Sequence, residues 1–599
     1  MPAITTPEFD QAYKRLNPAQ KKAVDAIDGP VMVIAGPGTG KTQMLTLRIA
    51  NILRLTDTAP SSILALTFTE SAVASMRKRL VDIIGIAGYS VYISTFHGFC
   101  NDVIKRYPDA FPHIIGSQNA SEIDQIQIME KVITHAELAY LKPYGDPFYY
   151  LRSAMSAIRE LKREKISPED YTKLIKDQEK EFKKIPDLYH EKGAHKGKMK
   201  GVYSDLERKI AKNGELATLY AGYQKELTKR KLYDYEDMIL ETISALSSKE
   251  DLLRELQEQY QYLLADEHQD ANTSQNKLLE LLASFHENPN VFVVGDEKQA
   301  IFRFQGASLE NFLYFKKLYP SALIVTLEDN YRSTQTILDA SHSLILKNPL
   351  KEGVEEKDMR VKLKAKGVVS KVDAEKVKIS LAEFSKPDVE RAYLVADIQK
   401  KLEMGVNPNQ IAIIYRDNRD ALPLVKEFET TMVPFVVESD QSILNDDTIA
   451  KFLRLLKTIA DFGNDALLAE ALYIDFLGID NLDIFKLMAF SAQHKSALHD
   501  LIKNESKMIE AKLEKSEKIH DLYKKLHHWS VFCKNKYLVE SFELIVRESG
   551  YLEYLIALPN SFDACAKLDG FFADANKLDQ SKKEANLADF QTYITTLET

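Results

Sequence analysis

Cysteine is nearly absent from this chain. Three residues in 599, Cys100, Cys533 and Cys565, are too few and too scattered for a disulfide framework or a cysteine-rich zinc site. No run approaches the roughly 18 apolar residues of a membrane span, and MPAITTPEFDQAYKRL at the start lacks the apolar centre of a signal peptide. Twenty prolines and 23 glycines without a period, and no repeat of 20–50 residues, exclude collagenous, low-complexity and solenoid architectures. What remains is a globular chain, 45% hydrophobic and 28% charged, for which a reducing, cytoplasmic setting and no membrane are expected. At roughly 100–200 residues per domain the length implies three to five domains. The 79 Lys+Arg against 88 Asp+Glu leave a net charge of −9, which for the chain as a whole argues against a nucleic-acid partner. One stretch runs the other way: residues 159–212 carry sixteen Lys/Arg against eleven Asp/Glu.

The first ordered pattern is VMVIA at 31–35, a short apolar run bounded by turn residues, which reads as a buried strand. Ala35-Gly36-Pro37-Gly38-Thr39-Gly40-Lys41-Thr42 follows with P-loop spacing, except that Ala35 stands where the first glycine is usual. Such glycines let backbone N–H groups turn inward around phosphates, Lys41 supplies a point charge near the β/γ oxygens, and Thr42 offers a hydroxyl to Mg²⁺. Leu45, Ile49, Ile52 and Leu53 then fall on one face of a helix. A second strand is expected at 63–68, and the stretch from about 100 to 235 is helix-rich. Strands return as YLLAD, ending at Asp266, as VFVVGD, ending at Asp296, and as ALIVTL at 322–327. Strand and helix in alternation predict a parallel sheet interrupted by an insertion.

Asp266-Glu267 closes a buried apolar strand. Alone, such a pair more often begins a solvated loop; on the same sheet as a P-loop it reads as a Mg²⁺ ligand, Asp266, and a base for the attacking water, Glu267. Gln299 lies just past the next strand, within reach of a γ-phosphate. Arg332 follows the strand after that, where a guanidinium can neutralise charge on a transferring phosphoryl group. Further on, IAIIYR at 411–416 and VPFVV at 433–437 read as strands of a second parallel sheet, and the chain beyond about 445 as mostly helical.

These motifs, in order, resemble the UvrD/PcrA/Rep-type superfamily 1 DNA helicases. Leu16-Asn17-Pro18-Ala19-Gln20 is similar to the family's Q motif, LTFTESA (66–72) and STFHGF (94–99) to motifs lining a single-strand groove, and ADEHQD (265–270), GDEKQAIFRFQGA (295–307) and LEDNYRST (327–334) to the Walker B, sensor and Tyr-Arg motifs. The resemblance implies that Gln20 reads the adenine edge and Tyr331 stacks on the base. It gives Lys41, Thr42, Asp266, Glu267, Gln299 and Arg332 the roles argued above. It also implies that Phe68, Phe302 and Phe304 face the bases of single-stranded DNA and stack on them, and that Arg416 and Asn418 touch DNA; His97 either touches DNA or packs. Gln43 departs from the family's usual arginine, as does Gln305 in Phe304-Gln305-Gly306-Ala307; His268 is expected to pack.

The implied architecture is α/β, with RecA-like P-loop NTPase sheets and helical insertions. Domain 1A would occupy 1–100 and 233–330, helical 1B 101–232, an incomplete 2A 331–445, and helical 2B 446–599. The family's Lys-Gly-Leu-Glu motif and second arginine finger are missing, so the expectation is a fragment ending before the last two motifs and poorly active alone. The implied activity is ATP- and Mg²⁺-dependent 3′→5′ translocation on single-stranded DNA and its duplex junctions, in DNA repair, with repair-protein partners unassigned. Two other readings stay open: an ATP-dependent DNA-binding module without motor activity, and the helicase part of a helicase–nuclease.

Overall fold

The structure, a computed structural model, describes residues 6–190, 197–299, 309–347, 361–371, 378–417, 420–437, 446–558, 561–581 and 585–598. They belong to two compact units, Met1–Ser380 and Leu381–Thr599.

In the first unit the apolar runs assemble one sheet. The chain lays down β1 (Val31–Ala35), β2 (Ile63–Thr67) and β3 (Tyr92–Thr95). It then leaves the sheet between two short strands that pair in parallel, β4 (Gln118–Asn119) and β5 (Leu232–Tyr233), and returns with β6 (Tyr262–Ala265), β7 (Val291–Gly295) and β8 (Leu323–Leu327). The order across the sheet is β3-β2-β6-β7-β1-β8, with every neighbouring pair parallel. Both faces are covered, as a parallel sheet requires. Met32 and Ile34 enter one apolar layer, and Val31, Val33 and Ala35 enter the other. Helix Lys41–Leu55 buries its expected face, Leu45, Ile49, Ile52 and Leu53, in that second layer.

Between β4 and β5 lies a helical insertion with its own core around Ile128, Met129, Leu219 and Tyr220. It is pinned to the sheet by charge. Lys162, at the end of helix Leu151–Arg163 and 1% exposed, donates to Asp234 at 2.6 Å and Asp237 at 2.8 Å. Both carboxylates sit at the start of helix Tyr235–Ser248, where they form a capping box.

Among its described residues the second unit consists of helices joined by loops, with no strand. Its main core stacks Phe452 on Tyr551 at 4.5 Å and Phe542 on Phe571 at 5.6 Å. Helices Pro387–Glu403 and Ala421–Thr431 share a smaller cluster of Val395, Ile398, Phe428 and Val433. Here the sequence reading needs correcting: 411–415 and 433–437 are not strands. Ile411 and Ile413 do point into the small cluster while Ile414 is 94% exposed, so the alternation is real. A strand, however, exists only where a neighbour completes its ladder, and among the described residues none does.

Candidate nucleotide site and adjoining groove

Because every strand of the sheet is parallel, their carboxyl ends share one rim, the usual place for a ligand. Strand order sorts that rim. The ends of β8, β1, β7 and β6 carry the phosphate-type motifs, and those of β2 and β3 carry Thr67, Phe68 and His97.

Ala35 ends β1, and Gly36 to Gly40 turn the chain into helix Lys41–Leu55. Gly38 (φ +72°) and Gly40 (φ +85°) are left-handed. A Cβ on Gly38 would come within 2.6 Å of the Arg332 Cβ, so the loop needs glycine for space as well. No side chain caps the helix, which leaves its first N–H groups open to an anion. Thr39, fully buried, closes the loop from within through its hydroxyl to the Gly36 carbonyl at 2.8 Å. Gln20 donates from Nε2 to the Thr39 carbonyl at 2.8 Å and accepts the Asn17 N–H at 3.0 Å, so it braces the P-loop directly.

Lys41 reaches across to β6. Its Nζ lies 2.6 Å from Glu267 Oε2, with the lysine side chain 11% exposed. Asp266 is 4% exposed and, among the described residues, its side chain accepts only the Glu267 N–H, at 3.0 Å. Burial, then the Glu267 charge, pushes its carboxyl up to about 6, against the pull of Lys41. A site this short of positive charge fits a divalent cation, with Thr42 at the helix start as the hydroxyl donor. Glu267 itself is left-handed (φ 47°), which turns its side chain out of the strand line toward Lys41.

Gln299 follows β7 and donates from Nε2 to Asp296 Oδ2 at 2.9 Å. Past β8, strand β9 (Asp329–Asn330) pairs with β10 (Lys364–Ala365) and sets the next turn against the P-loop. The Tyr331 N–H donates to the Gly38 carbonyl at 2.9 Å, and Asn17 Nδ2 donates to the Tyr331 hydroxyl at 3.2 Å. Tyr331 is 44% exposed, an aromatic face at the edge of the loop. Arg332 is exposed beside Gly38.

At the β2/β3 end, Phe68 is half-buried, edge-on to Phe96 at 6.0 Å. His97 stands edge-on to Tyr235 at 5.9 Å, and burial, then Arg163, lowers its pKa to about 4, so the ring is neutral at pH 7. Arg416 belongs to the second unit and is exposed there. Phe302, Phe304 and Asn418 lie outside the described residues, as does the Gln305 departure. His268 is buried, with its ring edge-on to Phe315 at 6.1 Å.

Three residues join the site that motif reading passed over. Asn330, 1% exposed, donates to the Pro37 carbonyl and accepts the N–H groups of Arg332 at 2.9 Å and Ser333 at 2.7 Å, clamping the Tyr-Arg turn to the P-loop. Gln269 donates to Glu267 Oε2 at 3.0 Å and accepts the Asp296 N–H at 2.9 Å. Asp296, 1% exposed, then holds Gln299. All three stand inside quoted motifs, so their position was a signal, though their partners were not.

A parallel sheet carrying an uncapped P-loop helix, with a strand-end carboxylate paired to its lysine, defines a RecA-like P-loop NTPase. The family model for the UvrD/REP helicase N-terminal domain matches residues 16–320, and that for the UvrD-like helicase C-terminal domain matches 325–598. The chain belongs to this family and is an ATP-dependent DNA helicase. It is 27% identical to the ATP-dependent DNA helicase PcrA of Staphylococcus aureus over 558 residues, 92% of this chain and 68% of that protein. With the PcrA of Staphylococcus epidermidis it is 28% identical over 490 residues, 82% of this chain and 60% of the relative. The expectation of a fragment ending before the last motifs finds no support in a C-terminal-domain match that runs to residue 598. No described helix is long and apolar enough to cross a membrane.

Proposed function

We propose that this chain couples ATP hydrolysis at the β1/β6 rim to 3′→5′ movement along single-stranded DNA, engages single-strand/duplex junctions, and works in the cytoplasm. The observation that carries the proposal is the 2.6 Å pair between Lys41 and Glu267, which brings the P-loop cation and the strand-end carboxylate to one point. Without nucleotide, Lys41 neutralises Glu267. Phosphate oxygens of ATP compete for the lysine, and the released Glu267, still held at Oε2 by Gln269, accepts the proton of the attacking water. When bound, Mg²⁺ on Asp266 and Thr42 supplies charge neutralisation at the β/γ oxygens. Tyr331 stacks on adenine, Gln20 reads its edge with the N–H left over from Thr39, and Gln299 and Arg332 meet the γ-phosphate.

Phe68 and His97, at the β2/β3 end, contact the strand; Phe302, Phe304, Arg416 and Asn418 are proposed as DNA contacts from their motifs alone. The division into 1A (1–100 and 233–330), 1B (101–232), 2A (331–445) and 2B (446–599) is part of the same proposal. Turnover of ATP with and without a thymidine oligonucleotide tests the site: Lys41→Ala is expected to abolish stimulated hydrolysis, and retention of it refutes the assignment. Unwinding of duplexes tailed at either end tests direction. A preference for the 5′ tail overturns it.

A further inference from the structure

Between the nucleotide motifs and the β2/β3 end of the rim lies a cavity of about 130 Å³, with Thr67, Phe68, His97, Lys162, Arg163 and Asp270 in its wall. Three of its polar atoms, Thr67 Oγ1, His97 Nε2 and Asp270 Oδ1, are buried and make no hydrogen bond. Buried polar atoms are rarely left so, and three around one space mark a place that a ligand completes. The cations in the wall do not supply the missing partner. Lys162 is held by Asp234 and Asp237, and Arg163 by Glu160 and Glu236.

The second oxygen of Asp270 leads away from the cavity. Gln269 Nε2 lies 3.3 Å from Asp270 Oδ2 and 3.0 Å from Glu267 Oε2. An amide nitrogen carries two hydrogens, so one atom ties the cavity carboxylate to the hydrolytic one. Gln269 has little freedom. It is 2% exposed, and its Oε1 is fixed by the Asp296 N–H and sits 2.6 Å from where a Cβ on Gly295 would stand. Burial, then the Glu267 charge, raises the Asp270 carboxyl to about 6.

We infer that Asp270 is a positioning residue, which conveys occupancy of this cavity by the DNA strand to Glu267 through the Gln269 amide. The inference rests on the proposed reading of Phe68 and His97 as strand contacts. Every nucleobase carries at least one N–H. Entering beside Phe68, that group donates to Asp270 Oδ1 and draws off negative charge that otherwise competes with Glu267 for the Gln269 amide. Glu267 is then held by Gln269 as Lys41 turns to ATP. With the cavity empty, Asp270 keeps its claim on the amide and Glu267 stays with the lysine.

The test uses the full chain, ATP and a thymidine oligonucleotide, whose bases donate through N3–H. Asp270→Asn keeps the shape and removes the charge. Because it removes the charge that the strand would draw off, it is expected to raise DNA-free ATP turnover about tenfold toward the DNA-stimulated rate, within the usual range of coupling between sites. The stimulation ratio shrinks by the same factor. Turnover at saturating DNA, ATP KM and oligonucleotide affinity should stay within about twofold of wild type. Thr67→Val, which touches the cavity but not Gln269, should show the reverse: weaker oligonucleotide affinity with maximal stimulation retained. Melting curves for both variants check folding, and a neutral side chain at a buried position is not expected to lower the midpoint. DNA-free turnover in Asp270→Asn no higher than wild type overturns the inference, as does a loss of stimulation that merely follows DNA affinity. A wild-type chain that DNA does not stimulate at all overturns the strand-contact reading beneath it, and the inference with it.

Discussion

The two units bury charge in different ways. Among the described residues, the first holds Arg48, Lys162, Asp234, Glu236, Asp237, Asp266 and Asp296 below a tenth exposed, and the second holds Asp483 alone. Asp483 is finished by its own fold, accepting the N–H groups of Glu514 and Lys515 at 2.8 Å each and so tying one loop to the helix Asn481–His494. Asp266 accepts one N–H, faces a second carboxylate and has its carboxyl pushed up to about 6. Burial alone therefore does not mark a functional group. A buried charge that the chain completes is structural, and one that the chain leaves short of partners is kept for a ligand.

The comparison breaks first on activity. Removing the groups assigned to chemistry, by Lys41→Ala or Glu267→Gln, should lower ATP turnover by about 10²–10⁴-fold while the unfolding of either unit moves little. Turnover above a tenth of wild type in either variant would mean that the Lys41–Glu267 pair is itself only structural. Asp483→Ala should do the opposite. Two buried N–H groups lose their acceptor, which costs about 2–3 kcal/mol in denaturant unfolding. An unchanged midpoint would show that water replaces the carboxylate, and that Asp483 does not complete that turn.

Legibility in the sequence divides along similar lines. The buried strands β1, β2, β6 and β7 were readable within a residue, because a parallel strand covered on both faces is a continuous apolar run; β8, a half-buried edge, was readable because its sequence is a nearly continuous apolar run too. Edge strand β3, Tyr92–Thr95, offers no such run and alternates in burial, so only its motif was visible. The P-loop, Asp266-Glu267 and Tyr331-Arg332 were readable because their chemistry fixes residue type and spacing within a few positions. Asn330 and Gln269 were not: their partners stand 293 and 27 residues away and meet only in the fold. At 411–416 the pattern described side-chain facing correctly and said nothing of a partner strand, which no single segment encodes.

Asn330 sharpens the comparison on a smaller scale, as a fully satisfied buried group inside the functional rim. Its amide fixes the Tyr-Arg turn against the P-loop, with no contact of its own to phosphate in the proposed mechanism. Asn330→Ala should therefore raise the KM for ATP by about tenfold, the weight of one to two buried hydrogen bonds, and change kcat much less. A fall in kcat with KM unchanged would place Asn330 among the groups that act on the reacting phosphate instead.

The smallest effect is the most discriminating, because its sign differs from every loss above. The Asp266 carboxyl is raised in the folded chain, from an ordinary value near 3.8 to about 6. Its contribution is therefore fully favourable below pH 4 and is lost as pH rises through 6. At pH 7.5 the ionised carboxylate is a cost that Asn does not carry, so Asp266→Asn should melt about 2 °C above wild type there. At pH 5 wild-type Asp266 is protonated, and the difference should close. Mg²⁺ stabilises only what binds it, so it should raise the wild-type midpoint at pH 7.5, do so far less at pH 5, and leave Asp266→Asn nearly unmoved. If Asp266→Asn instead melts lower than wild type at pH 7.5 without Mg²⁺, then the fold does complete Asp266, and it belongs with Asp483.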